Sequence, residues 1–251
     1  MSLTLRNPHS VLAAIQTRPR DVLQVCVYDD ELNPISANWK AVMRAAIEAG
    51  ASIRRVSRVG ARRRGGGGAS DAGGRAARTF ARVRERRSVS LEELFPAETA
   101  SEPSAGLWIA LDCLQDPHNV GAIFRTAAFF GVRGIVVTKN RSAPLNETVY
   151  DVASGGMEYV PFSIQTNLNR ALRIARQRGL WLLGTSESAD CDITEIQPDR
   201  PWLLVLGNEE KGLRRLTLEA CDLVCRISPR GPVSSLNVSV AAGVLIAALS
   251  R

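Results

Sequence analysis

Histidine is nearly absent: His9 and His118 are the only two in 251 residues. Catalysis by a Ser–His–Asp grouping has little to draw on. The five cysteines, at 26, 113, 191, 221 and 225, contain no Cys-x-x-Cys, and an odd, scattered set does not make a disulfide framework. With two histidines and no paired cysteines, no metal site is expected. Aromatic residues are only 5%, so the core must be aliphatic. Long hydrophobic runs are missing too. The longest, residues 240–249, falls far short of the roughly 20 residues that span a bilayer. The first residues hold no apolar leader core, so a reduced, cytoplasmic protein without membrane contact is expected. Apolar residues still make up 45%, enough for a substantial core.

Lysine is also scarce. Lys40, Lys139 and Lys211 are three of 32 basic residues, against 25 acidic ones, for a net charge of +7. A basic, arginine-dominated chain suits a polyanion, because the guanidinium forks onto phosphate. The charge is unevenly spread. Residues 1–105 carry 17 basic and 11 acidic side chains, and residues 106–251 carry 15 and 14. Residues 54–87 hold 12 Arg against Asp71 and Glu85, with six glycines at 65–68 and 73–74. Mutual repulsion and glycine entropy predict a mobile segment there. Such segments order on RNA, and Arg62, Arg63 and Arg64 are its candidate RNA contacts; a passive solvated tether is the alternative.

Ahead of it, residues 11–15 read as a helix, Val22–Tyr28 as a strand and 39–49 as a helix with Gly50 as its C-cap. This predicts a small α/β domain over 1–95, followed by a polar linker at 96–105. From 106 the pattern changes to short, continuously apolar runs: Leu107–Leu111, 134–137, 180–183, Trp202–Leu206 and 223–227. Runs without alternation are strands covered on both faces. Helical patterns lie between them at 120–130, 168–178, 214–220 and Val238–Leu249. Alternating strands and helices predict an α/β domain with a mainly parallel sheet over 106–251.

The usual nucleotide fingerprints are missing. Gly207 to Gly212 has P-loop spacing, but Leu213-Arg214 stands where Lys-Ser/Thr is required. No Gly-x-Gly-x-x-Gly follows a strand. Three other clusters stand at strand-to-loop junctions. Asp116-Pro-His-Asn-Val-Gly-Ala-Ile-Phe-Arg follows the first apolar run, with Asn119 as a possible helix cap and Arg125 six residues on. Leu206-Gly-Asn-Glu-Glu-Lys-Gly places Glu209 just past the most apolar strand, where open α/β sheets bind ligands. Ile227-Ser-Pro-Arg-Gly-Pro-Val-Ser-Ser-Leu-Asn leads into the last helix through Ser235 and Asn237, which can cap it.

Together, Asn119-x5-Arg125, Gly207-Asn-Glu-x-x-Gly212 and Ser235-Leu-Asn-Val-Ser239 resemble the three motifs of the SpoU family of SPOUT methyltransferases. The resemblance covers essentially all of 106–251. Order and spacing look most like the branch that 2'-O-methylates a guanosine of 23S rRNA. The opening Arg6-Asn-Pro-His-Ser-Val-Leu-Ala-Ala-Ile resembles that branch's ribosomal-protein-like RNA-binding domain. The Arg/Gly stretch stands where the family usually carries a His-Gln-Gly element, so the modified nucleotide stays open.

The resemblance implies a trefoil-knotted catalytic domain that dimerises through the knot. It also implies S-adenosylmethionine held mostly by backbone groups, by position those of Gly207, Ile227 and Leu236. The catalytic set it implies is Asn119, Arg125, Glu209, Ser235 and Asn237. A ribose hydroxyl is a weak nucleophile whose proton must be withdrawn or whose oxygen polarised. The family assigns that task to Arg125, but a guanidinium does not release its proton near neutrality. Holding the adjacent phosphate is the easier role. Asn119, Ser235 and Asn237 would orient Arg125 and the ribose, and Glu209 would fix the loops or Arg125. The same reaction on tRNA, and a non-catalytic ribosome-assembly factor with this fold, are the competing readings.

Overall fold

A computed structural model describes residues 2–28, 35–56, 79–95 and 106–250. The chain divides into two units, Met1–Arg86 and Arg87–Arg251.

The first unit runs β1 (Ser2–Leu5), α1 (Pro8–Thr17), β2 (Val22–Tyr28), α2 (Ala37–Glu48), β3 (Ile53–Val56) and β4 (Phe80–Arg84). The sheet order is β1-β4-β2-β3, antiparallel except for β2 with β3. Asn7 caps α1 through its side chain, with Pro8 at the first turn, and Gly50 ends α2 at a φ of +67°. One sheet face is fully buried: Leu3, Leu5, Val25, Val27, Ala81 and Val83. The strands β3 and β4 correct the reading of 54–87 as one mobile segment. Its ends pair with β2, and in β4 Ala81 and Val83 are buried between exposed Arg82 and Arg84, so packing overrides composition there. Arg62, Arg63 and Arg64 lie outside the described residues.

The second unit begins earlier than the linker at 96–105 predicts. Val89 exchanges backbone and side-chain hydrogen bonds with Phe162 and Ser163, both at 2.8 Å. A one-turn helix, α3 (Leu91–Leu94), is closed by a Ser90–Glu93 capping box. Leu91, Leu94 and Phe95 enter the second core beside Trp108 and Leu172. Trp108 Nε1 donates to the Leu94 carbonyl at 2.8 Å. Apolar burial thus ties residues 87–95 to the second unit.

There follow β5 (Leu107–Leu111), α4 (Pro117–Phe129), β6 (Gly134–Thr138), α5 (Glu147–Ala153), α6 (Gly156–Tyr159), β7 (Phe162–Gln165), α7 (Leu168–Gln177) and β8 (Trp181–Thr185). Then come β9 (Cys191–Asp192), β10 (Trp202–Leu206), α8 (Arg215–Glu219), β11 (Leu223–Arg226) and α9 (Val238–Leu249). The sheet order is β7-β6-β5-β10-β8-β11-β9, all pairs parallel. Strands β5, β6 and β10 are buried at every position, as continuous apolar runs require. Helix α7 buries Leu168, Ala171, Leu172 and Ala175 at helical spacing and turns its arginines outward. Successive strands grow outward from β5 through β6 to β7, while β10 flanks β5 on the other side. The chain therefore diverges from the carboxyl ends of β5 and β10, which opens a crevice there.

Candidate active site

The loop after β10 is a tight hairpin. Asn208 and Gly212 exchange both backbone hydrogen bonds, at 3.0 and 2.9 Å. The Asn208 Oδ1 accepts from the Glu210 and Lys211 amides at 3.1 Å. Gly212 sits at a φ of +63°, which a side chain would strain. A Cβ on Gly207 would stand 2.2 Å from the Gly212 carbonyl carbon. Glycine at 207 is thus required by the loop itself, not only by a ligand.

This hairpin holds Glu209 against the loop after β5. The Glu209 carboxylate accepts from the Gln115 amide at 3.2 Å, the Asp116 amide at 3.3 Å and Asn119 Nδ2 at 3.2 Å. Asn208 Nδ2 donates to it as well, at 3.2 Å, and to the Cys113 carbonyl at 2.9 Å. Asn119 in turn accepts from Asn237 Nδ2 at 3.0 Å. Asn237 caps α9, its Oδ1 accepting from the Ser239 amide at 2.9 Å and hydroxyl at 2.6 Å. One hydrogen-bonded chain, Glu209–Asn119–Asn237, thereby links all three sequence clusters. Asn119 is not the cap of α4. Asp116 is, accepting from the His118 amide at 2.8 Å, because Pro117 suits the first helical turn. Asn119 lies one position short of a full turn inside, buried and free to make the bridge.

The loops after β8, β10 and β11 and the start of α9 enclose a cavity of about 750 Å³. Gly207, Glu209, Ile227, Ser235 and Leu236 all line it. Ser235 is exposed, and Leu236 is half-exposed. Arg125 stands elsewhere. It is exposed on α4, its side chain makes no hydrogen bond or ion pair among the described residues, and it borders a smaller cavity of about 440 Å³ with Phe129, Ser154 and Tyr159. The expected contacts from Asn119, Ser235 and Asn237 to Arg125 are therefore absent, and of the two tasks expected of Glu209 it fixes the loops and does not touch Arg125. Six residues on a helix is 600°, so Asn119 and Arg125 face different ways.

The SpoU rRNA Methylase family profile matches residues 106–247, the unit that carries this arrangement. The chain belongs to the SpoU rRNA methylase family. It is 37% identical over 250 residues to the 23S rRNA (guanosine-2'-O-)-methyltransferase RlmB of Yersinia pestis, covering 98% of this chain and 96% of that one. RlmB of Nitrosomonas europaea is 46% identical over 161 residues, a match spanning 64% of this chain and 60% of that protein. The structure of the SpoU methyltransferase AviRb from Streptomyces viridochromogenes superposes with a TM-score of 0.77 at 20% identity, over 100% of this chain and 89% of AviRb.

Sequence reasoning missed two supports of this family site. Asp112, directly after β5, has a side chain with no exposed surface. Arg214 grips it through Nη2 and Nε, at 2.7 and 3.1 Å, and the Thr217 hydroxyl donates at 2.9 Å. The carboxylate raises the Arg214 pKa further above its ordinary value. This pair ties the far end of the Gly207–Gly212 hairpin to β5. The argument that singled out Glu209, a carboxylate at a strand's carboxyl end, applies equally to Asp112. Asp192 is the second support. It accepts from the Ser228 amide at 3.0 Å and from the Thr194 amide and hydroxyl, which hold its pKa well below the usual carboxylate range. It anchors the start of the loop carrying Ile227 to Leu236. Burial pushes the Cys225 thiol in the cavity wall up to about 12, so it is no nucleophile near neutrality.

Proposed function

We propose that this protein transfers a methyl group from S-adenosylmethionine to a ribose 2'-hydroxyl of RNA, most specifically a guanosine of 23S rRNA. The observation that carries this reading is the convergence of three motif loops on one cavity through the Glu209–Asn119–Asn237 chain. The cavity suits that cofactor. Its size lies within the range of small-molecule sites. Leu206, Leu213 and Leu245 give it an apolar wall, and Arg226, whose Nε is buried without a partner, offers a cation for a carboxylate. The backbones of Gly207, Ile227 and Leu236 are the holding groups. When bound, the cofactor supplies a sulfonium methyl already activated for in-line attack.

The chain's own task is to present and polarise the hydroxyl. Glu209 spends its acceptor capacity on loop amides and Asn119, so it acts as a brace and not as a base. Arg125 is free to hold the ribose-adjacent phosphate, whose oxygen accepts a hydrogen bond from the 2'-hydroxyl and polarises it; as the hydroxyl oxygen takes the methyl and the sulfonium becomes a neutral thioether, the hydroxyl proton would pass by way of the phosphate to water. Ser235, on the cavity rim, is placed to touch the ribose.

Two copies pair through the α4 and α9 face. Phe129 is 82% exposed, and Tyr159, Val240 and Val244 are each more than 40% exposed. Apolar side chains that open to water gather at protein interfaces. Arg125 lies beside them, so pairing brings it to the subunit boundary. Among the described residues no helix is long and apolar enough to cross a membrane, which is consistent with work on rRNA in the cytoplasm. The test is methyl transfer from tritiated S-adenosylmethionine to 23S rRNA and to tRNA, with the product mapped by ribose-methylation sequencing. Label in tRNA alone would move the substrate, and no label in either would leave an assembly factor.

A further inference from the structure

Among the described residues, the second face of the four-stranded sheet is open to solvent at most of its positions. The register places Thr4, Arg82 and Gln24 side by side across β1, β4 and β2. One step along, Phe80, Cys26 and Arg54 form the next row across β4, β2 and β3. Tyr28 follows Cys26 on the same face, because side chains two apart on a strand share a side. On β1, β4 and β2 the positions of the other face, Leu3, Leu5, Ala81, Val83, Val25 and Val27, are buried, whereas most of these are not. Arg54, Arg82 and Arg84 are exposed, and Thr4, Gln24, Tyr28 and Phe80 are partly so. Only Cys26 is buried, beneath its neighbours.

Chemistry follows from that list. Among the described residues the face carries no acid, and its charged side chains are all Arg. Arg84 meets Asp21 at the sheet edge, at 3.5 Å. The side chains of Arg54 and Arg82 have no ion pair or hydrogen bond among the described residues. The rings of Tyr28 and Phe80 lie 6.4 Å apart, tilted by 35°. Arg54 and Arg82 are two strands and two residues apart, about 12 Å by strand spacing and rise, and the aromatic pair lies toward the Arg54 row. A nonpolar partner would leave two cations unpaired, while a nucleic acid duplex would hide the base faces that aromatic rings stack on. A flat sheet with aromatic rings flanked by cations is the arrangement that takes unpaired bases and their phosphates.

We infer that this sheet face docks single-stranded RNA, with Phe80 and Tyr28 stacking on unpaired bases and Arg54 and Arg82 holding phosphates. This rests on the reading above that the chain acts on RNA, and it names the surface and the strandedness of what is bound. The site lies wholly on described strands and does not involve the 57–78 segment.

The experiment uses the full chain and a fluorescein-labelled single-stranded RNA oligonucleotide, with its duplex as control, read by anisotropy across a salt series. Phe80→Leu with Tyr28→Leu keeps apolar bulk over Cys26 but removes the rings. It should weaken single-strand binding about tenfold and leave the duplex affinity in place. Arg54→Gln with Arg82→Gln alters only exposed side chains, so folding is not at issue. It should lower the salt slope by about 1.4, two phosphates on a single strand. Wild-type affinity and slope in both variants overturns the platform, and so does an equal loss on the duplex from the aromatic pair. Methyl transfer is measured separately. Platform variants that lose RNA affinity in a protein with no methyl transfer keep this inference and remove the enzymatic reading. Normal RNA affinity in an active protein does the reverse.

Discussion

Replacing Glu209 with alanine removes four acceptor contacts at once: those from Gln115, Asp116, Asn119 and Asn208. Hydrogen bonds to a charged group are worth about 1.5–3 kcal/mol each when shielded from water. Glu209 is exposed, so solvent recovers most of that. A net loss of about 2 kcal/mol for the four together is the expected scale. None of the four contacts lies within β5 or β10, whose ladder stays intact. The cost falls on the local register of the two loops and on Asn119, whose other contact is Asn237. Glu209→Ala should therefore melt only a few degrees lower. Its methyl transfer should drop by about two to three orders of magnitude, the scale for losing a preorganised site. Glu209→Gln keeps one carbonyl acceptor but turns an NH2 toward donors, and should recover only part of the rate. Calorimetric S-adenosylmethionine binding and single-turnover methyl transfer, run on the same preparations, separate the two effects. Near wild-type turnover in a folded Glu209→Ala protein would refute the bracing role.

Other outcomes follow from the same geometry. A Cβ at 207 meets hairpin backbone at 2.2 Å, so Gly207→Val should weaken S-adenosylmethionine binding more than tenfold by displacing the loop, read by calorimetry beside a thermal melt; unchanged affinity would place the pocket elsewhere. Arg214→Ala leaves the fully buried Asp112 carboxylate with Thr217 alone and should cost about 3 kcal/mol in urea unfolding, with Asp112→Asn plus Arg214→Ala less damaging than Arg214→Ala; a single variant as stable as wild type would refute the pair. Asp192 has a depressed pKa, so its contribution is present above the ordinary value near 3.8 and is lost only as pH falls well below it. S-adenosylmethionine affinity should accordingly stay flat from pH 7 to about 4 and fall at every pH in Asp192→Ala; a midpoint near 5 in the wild type would contradict this.

Much of the fold was readable because the second sheet is built from buried parallel strands. Leu107–Leu111, Trp202–Leu206 and Val238–Leu249 stand at their expected bounds, since nothing but apolar periodicity was needed to see them. β7 escaped notice because Ser163 and Gln165 break its apolar run; the buried Ser163 hydroxyl is satisfied by donating to the Val89 carbonyl and accepting from Gln165 Nε2. β4 was hidden by composition: its Arg82 and Arg84 belong to an Arg-rich stretch, yet Ala81 and Val83 between them are buried. At the site, residue types at strand ends pointed to Glu209 and Asn237. They could not show that Asp116 displaces Asn119 as the cap, nor that Arg125 faces away from the cavity. Those depend on helical phase and on which side chains meet across about 90 to 118 residues of sequence, as Asn119 meets Glu209 and Asn237.

The central claim is ribose methylation of 23S rRNA by this constellation, and the most direct measurement is transfer of tritiated methyl from S-adenosylmethionine to unmodified 23S rRNA by wild type and Arg125→Ala in parallel. Arg125 lies outside the cofactor cavity. The account predicts a single labelled 2'-O-methylguanosine from wild type and, from Arg125→Ala, a rate lower by about 10²–10³ with S-adenosylmethionine affinity unchanged. Equal labelling by both proteins, or label on a base instead of a ribose oxygen, would contradict it.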